Sequence, residues 1–286
     1  MLQREQGNSQ NTKPEKARGL MSLLLEVYAT AVRAYKIYFR YTAWFLADLI
    51  TTPIWILVLL LPILMFLPKS EWNNPVTINF FFWAMVMWDI VSAGLWSFGQ
   101  AIRREQQTGT LEFLFLTNAN RAIVFARSIF TTSLDIVIRF IYMIIVFKLL
   151  FNVGILLLNP LGLIFVFIIG LFIAMGFGQI YGAMVLRFKN VGPATNILQF
   201  LILGISGIFF PVSKLPFSLR IVSLFSPFTY IADLTRFMAM GTRTILDPVM
   251  ELTLLIVLAI ILDAMGLWII RYVENKLKRT GQLGAY

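Results

Sequence analysis

Long apolar runs alternate with short polar breaks along this chain. A helix rises 1.5 Å per residue, so about 20 apolar residues cross the hydrocarbon core of a bilayer. Six runs qualify, at residues 43–67, 78–102, 123–150, 160–186, 191–210 and 248–270. They are continuously apolar and lack the roughly ten-residue alternation of a barrel strand. A backbone in lipid must satisfy its own polar groups, so each run predicts a helix. The expected fold is an all-α integral membrane domain over residues 20–286 with six transmembrane helices.

Three stretches depart from that pattern. In 20–42, Glu26, Thr30, Arg33, Lys36 and Arg40 recur on one helical side, and Leu24, Val27, Ala31, Tyr35 and Tyr38 on the other. This predicts an N-terminal amphipathic helix lying in the membrane interface; a solvated helix packed on a partner fits the same pattern. In 211–247, Pro211, Pro216 and Pro227 cut the chain into apolar pieces too short to cross. Such pieces read as re-entrant or outer helices, tolerated at membrane depth only when buried in protein or lining a cavity. They serve either as a gate over a pathway or as a loop that only packs. The third stretch, 103–122, is a polar loop between the second and third runs. Residues 1–19 read as a disordered cytoplasmic tail, with no cleavable signal pattern expected.

Composition sharpens the class. Hydrophobic residues make up 59% of the chain and charged residues 13%, more apolar surface than a soluble domain hides. The net charge of +10 is read as basic loops beside anionic lipid, not as a nucleic-acid surface. If the N-terminus is inside, the inner segments hold 17 Lys and Arg and the outer segments six. Both termini, including the 271–286 tail, are therefore predicted to be cytoplasmic, in a multi-pass cell-membrane protein. The chain has no Cys and no His. That removes disulfides, thiolate zinc sites and His general bases.

Charges within the runs are expensive and mark candidate sites. They are Asp89, Asp135, Arg139 and Asp263. Asp135 and Arg139 stand four apart on one helix face and can pair; a structural ion pair is favoured over a proton relay. Phe81, Trp83 and Trp88, with Asp89, are candidates to line a pathway, and core or lipid-facing aromatics are the plainer alternative for each. Gly178-x-x-x-Gly182 permits close helix approach, within the chain or across a dimer. There is no G-x-x-x-x-G-K-[ST], so the chain carries no nucleotide cradle of that kind, and no catalytic constellation suggests an enzyme. No metal site is expected.

Three segments then resemble a type-2 ABC transporter permease. They are Arg104-Glu105-Gln106-Gln107-Thr108-Gly109-Thr110-Leu111-Glu112-Phe113-Leu114, Ile208-Phe209-Phe210-Pro211-Val212-Ser213-Lys214-Leu215-Pro216 and Ser226-Pro227-Phe228-Thr229-Tyr230-Ile231-Ala232-Asp233-Leu234-Thr235-Arg236. The tail around Lys278–Gly284 is similar to a common end of that family. The family's proline after the first segment is replaced here by Leu116-Thr117-Asn118-Ala119-Asn120.

The resemblance implies a dimer, of two copies or of this chain with a homologous permease, docked on a separate cytoplasmic ATPase that holds ATP and Mg. It assigns coupling to Arg104, Glu105, Gly109, Thr110, Leu111, Glu112 and Leu114. It assigns an outer gate to Phe210, Pro211, Pro216, Pro227, Tyr230 and Arg236. The expected function is ATP-driven export of an amphipathic drug-like or lipid-like substrate, with polysaccharide or lipid-linked glycan export as the near alternative. An ion-coupled secondary transporter using Asp89, Asp135 and Asp263 is the alternative of another class, and a membrane enzyme acting on lipids is a third.

Overall fold

The structure, a computed structural model, describes residues 42–109, 121–188 and 192–280 and isolated positions between 21 and 40. Within these, regular structure is entirely helical. The helices are α1 (Thr42–Met65), α2 (Pro75–Ser92), α3 (Phe98–Gln107), α4 (Arg121–Phe151), α5 (Pro160–Arg187), α6 (Gly192–Ile205), α7 (Phe217–Leu224), α8 (Pro227–Met240) and α9 (Pro248–Thr280). A π-helical turn, Ala93–Ser97, joins α2 to α3. Three helical stretches are long and apolar enough to cross a membrane: Pro75–Arg103, Pro160–Arg187 and Pro248–Leu277. Leu49–Met65 and Gly192–Ile205 are shorter apolar helices.

Local chemistry sets several boundaries. Pro75 and Pro160 open α2 and α5, where their missing N–H costs nothing, and Asn74 and Asn159 cap them through side-chain oxygens. The fifth run, expected to reach residue 210, stops as a helix at Ile205. Gly207 beyond it takes a left-handed φ of +67°, which ends a helix and is open mainly to glycine. In the opposite direction, α9 runs to Thr280, ten residues past the expected end of the last run. Much of the segment expected as a tail is therefore helix.

The main core is built on α2, α5 and α8, with Phe82, Ile90, Val166, Ile173, Ile231 and Leu234 buried in it. Close approach depends on glycine. A Cβ on Gly176 would fall 2.6 Å from the Asp263 backbone nitrogen, and one on Gly178 would fall 2.8 Å from the Gly94 carbonyl oxygen. So α5 touches α9 on one side and the π-turn on the other, backbone to backbone.

A second, smaller core gathers Phe98 and Ile102 of α3, Tyr181 and Val185 of α5, and Ile270 and Leu277 of α9. It exists because α9 continues past residue 270. Gly182 seats Phe98 and Ile102.

Asn79, fully buried, fixes the turn before α5. Its Nδ2 donates to the Pro75 carbonyl at 2.8 Å and the Gly154 carbonyl at 3.0 Å, and its Oδ1 accepts from Leu156 N–H at 2.6 Å.

Candidate functional site

Four helices and the π-turn surround a cavity of about 720 Å³. Trp55 comes from α1, Trp88 and Asp89 from α2, Trp96 from the π-turn, Asp135 and Arg139 from α4, and Gln199 and Phe200 from α6. The first and second runs are rich in tryptophan, and three of those rings meet here. Asp89, Ser92 and Trp96 stand three and seven residues apart, a spacing that keeps side chains on one helix face, and they share one wall. The wide turn at Ala93–Ser97 lies in this wall, and π-turns recur at functional sites.

The charged floor is a three-residue group. Arg139 Nη2 donates to Asp135 Oδ2 at 2.6 Å, and Arg139 Nη1 lies 3.8 Å from Asp89 Oδ1. The i,i+4 pair is therefore joined by a carboxylate from a second helix. Opposite them, Trp96 Nε1–H donates to Gln199 Oε1 at 2.8 Å, and Gln199 Nε2 donates to Ser92 Oγ at 3.2 Å. This clamp ties α6 to the π-turn. Gln199, Ser92 and Trp96 were not singled out by the sequence; the available signal was a lone glutamine inside an apolar run.

The pathway candidates divide. Trp88 and Asp89 line the cavity. Phe81 and Trp83 do not. They are buried in the main core, Phe81 edge-on to Phe80 and Trp83 edge-on to Phe82 and beside Phe140. Both pack in the core, on parts of α2 other than those that line this cavity. Asp263 lies on α9 beside Gly176, away from the cavity lining, and its buried Oδ1 has no hydrogen-bond partner among the described residues.

Above the cavity, the broken segment is tightly bonded. Arg236 is only 6% exposed and donates to the Gly207 carbonyl at 2.8 Å and to the Ile208 carbonyl, with its guanidinium 4.1 Å from the Phe80 ring centre. It thus caps the interrupted end of α6 with positive charge, where the helix dipole favours it. Burial pushes its pKa down to about 10, against the pull of Asp233, so it stays a cation at neutral pH. Burial also raises the Asp233 pKa, opposed by the Ile245 N–H bond and by Arg236.

Tyr230 donates to the Leu224 carbonyl at 2.6 Å and is buried. Pro211 and Pro216 are exposed, Phe210 and Pro227 half-buried. Phe209, not Phe210, lines the cavity.

At the other end, α3 carries Arg104 and Glu105, and Thr108 Oγ1 donates to the Glu105 carbonyl at 3.3 Å. Gly109 follows in the left-handed region at φ +68°. Thr110, Leu111, Glu112 and Leu114 lie outside the described residues. Arg33, Lys36 and Arg40 are helical and exposed; most of the 20–42 stretch, and all of 1–19, also lie outside.

No protein-family model matches the chain, and no curated protein matches it either.

Proposed function

We propose that this chain is the membrane subunit of an ATP-driven exporter of the type-2 ABC permease class. In this reading it has six spans and cytoplasmic termini, pairs with a second permease copy, and moves an amphipathic drug-like or lipid-like molecule. ATP hydrolysis belongs to a separate ATPase subunit, so the chain itself is not an enzyme. One observation carries the reading. Trp88 and Asp89 at the cavity and Glu105 near the polar end sit on one uninterrupted helical rod, α2 through the π-turn to α3. The small core of α3, α5 and α9 stiffens its lower end. A push on the polar end is thereby delivered to the cavity wall, which is what coupling a motor to a binding site requires. The exposed basic positions Arg33, Lys36 and Arg40 suit a helix lying against headgroups, and Arg236 suits the anchor of an outer gate.

The test is co-purification with the ATPase encoded nearest to this chain, wild type against Glu105→Arg/Glu112→Arg. The double variant is expected to lose association and substrate-stimulated ATP turnover while still inserting in the membrane. Absence of ATPase association in the wild type would overturn the reading. The Asp89–Arg139–Asp135 group at the cavity supports one competitor, an ion-coupled transporter. That reading requires transport without any ATPase and its loss in Asp135→Asn.

A further inference from the structure

We infer that Asp233 and Glu251 hold one proton between them, and that this shared proton is a pH-sensitive latch fastening the 241–247 loop to α8 and α9. The latch needs no ATPase and is independent of the export reading. Asp233 lies on α8 and Glu251 in the first turn of α9. Successive N–H groups of the loop reach one carboxyl each. Ile245 N–H donates to Asp233 Oδ2 at 2.6 Å, and Leu246 N–H donates to Glu251 Oε1 at 2.8 Å. The two carboxyl groups stand close enough to hydrogen-bond once one of them is protonated. Glu251 is fully buried, and its second oxygen, Oε2, finds no donor among the described residues. A buried acceptor without a donor is costly, and two ionised carboxylates in contact repel. One proton removes both penalties, because it turns one carboxyl into a donor and leaves the other as its acceptor. A calcium ion takes about six to eight oxygen ligands, and among the described residues no third acidic side chain joins the pair.

The surrounding charges leave that proton in place. Arg236 gives its guanidinium to the Gly207 and Ile208 carbonyls and the Phe80 ring, and pulls on Asp233 only through space. Tyr230 donates its hydroxyl to the Leu224 carbonyl. On the loop, Arg243 and Asp247 are exposed, and Asp247 accepts from Val249 N–H at 3.0 Å. On the other helices packed against α8, Asp89 of α2 lines the cavity, Tyr181 of α5 sits in the smaller core, Arg187 ends α5, and Arg220 of α7 is exposed. Farther along α9, Asp263 is about three turns away. Burial holds the Asp233 carboxyl above its ordinary range. A raised carboxyl favours the fastened state at low pH, and that state weakens as pH rises past the ordinary carboxylate range. Through Arg236, α8 also holds the end of α6 beside Phe209 of the cavity lining. The latch therefore bears on the helix that anchors the cavity rim.

The full chain in nanodiscs is titrated from about pH 5 to about pH 9 and read in two ways. Infrared difference spectra record the carbonyl band of a protonated carboxyl group, and trypsin cutting after Arg243 reports release of the loop. A protonated-carboxyl band is expected in the wild type, and both Asp233→Asn and Glu251→Gln should abolish it, since either amide donates in the proton's place and leaves its neighbour ionised. Wild-type cleavage, taken as a ratio to Glu251→Gln at the same pH, should rise about tenfold or more across the range. The ratio cancels the pH dependence of the protease. Three results would each overturn the inference: no band that the variants remove, a band removed by only one of two folded variants, or a cleavage ratio that stays constant with pH. If a variant does not fold, the wild type decides: band loss and loop release must share one pH range, and separate transitions overturn the shared proton.

Discussion

Replacing Gly176 by alanine tests how the two longest-packed helices are joined. The added Cβ would lie 2.6 Å from both the Asp263 nitrogen and the Leu262 carbonyl carbon, and 2.9 Å from the Leu262 oxygen. Favourable carbon contacts lie near 3.5–4.0 Å. The neighbours are backbone atoms, so no side chain can rotate aside, and α5 and α9 must part by about 1 Å. Overpacking of this kind costs about 1–3 kcal/mol where side chains can adjust. With a rigid backbone opposite, a loss of about 3 kcal/mol or more is expected.

Gly204→Ala is the internal control. Gly204 is helical and a Cβ there meets nothing within 4 Å, so alanine should be neutral or stabilise by about 0.5–1 kcal/mol. Unfolding in mixed micelles, followed by tryptophan fluorescence, gives both values on one scale. Gly176→Ala with wild-type stability, or Gly204→Ala as the worse of the two, would refute the packing argument.

Two further changes bear on the polar anchors. Arg236→Met strips the cap from the Gly207 and Ile208 carbonyls and removes the cation beside Phe80. A loss of about 2–4 kcal/mol is expected, and limited proteolysis should open first near residues 206–216. Asn79→Leu removes the side-chain partner of the Gly154 carbonyl and of the half-buried Leu156 N–H. Thermal unfolding should fall by an amount equivalent to about 1–3 kcal/mol, and amide exchange at Leu156 should accelerate.

Residues 160–186 show why some elements were readable. A proline after asparagine opened the run and a basic residue closed it, and the helix found is Pro160–Arg187. The short pieces between Pro216 and Gly241 became α7 and α8 because proline and left-handed glycine act locally. The faces were not readable. Trp83 and Trp88 lie on one apolar helix five residues apart, and with apolar side chains all round nothing in the sequence says which points inward. Asp89 meeting Arg139, and Gln199 meeting Trp96, are contacts between helices far apart in the chain, which no single run reveals. The end of α6 at Ile205 was missed because apolar residues continue to Phe210 past Gly207, the residue that takes the left-handed conformation and ends the helix.

The π-turn has a further consequence. Five residues wound where a regular helix would place about four are, in effect, one residue inserted into the rod. Each residue of a helix advances about 100° and 1.5 Å. Deleting a single residue from Ala93–Ser97 would let a regular turn replace the wide one and leave everything below it in nearly its present phase relative to Trp88 and Asp89. Phe98 and Ile102 would then keep their seat opposite Gly182, whereas a deletion between Ile102 and Glu105, where no wide turn absorbs it, would swing the polar end by about 100°. At this place the chain tolerates a change of length that the rest of the rod would not: the wide turn takes up one residue and keeps the phase between the cavity and the far end.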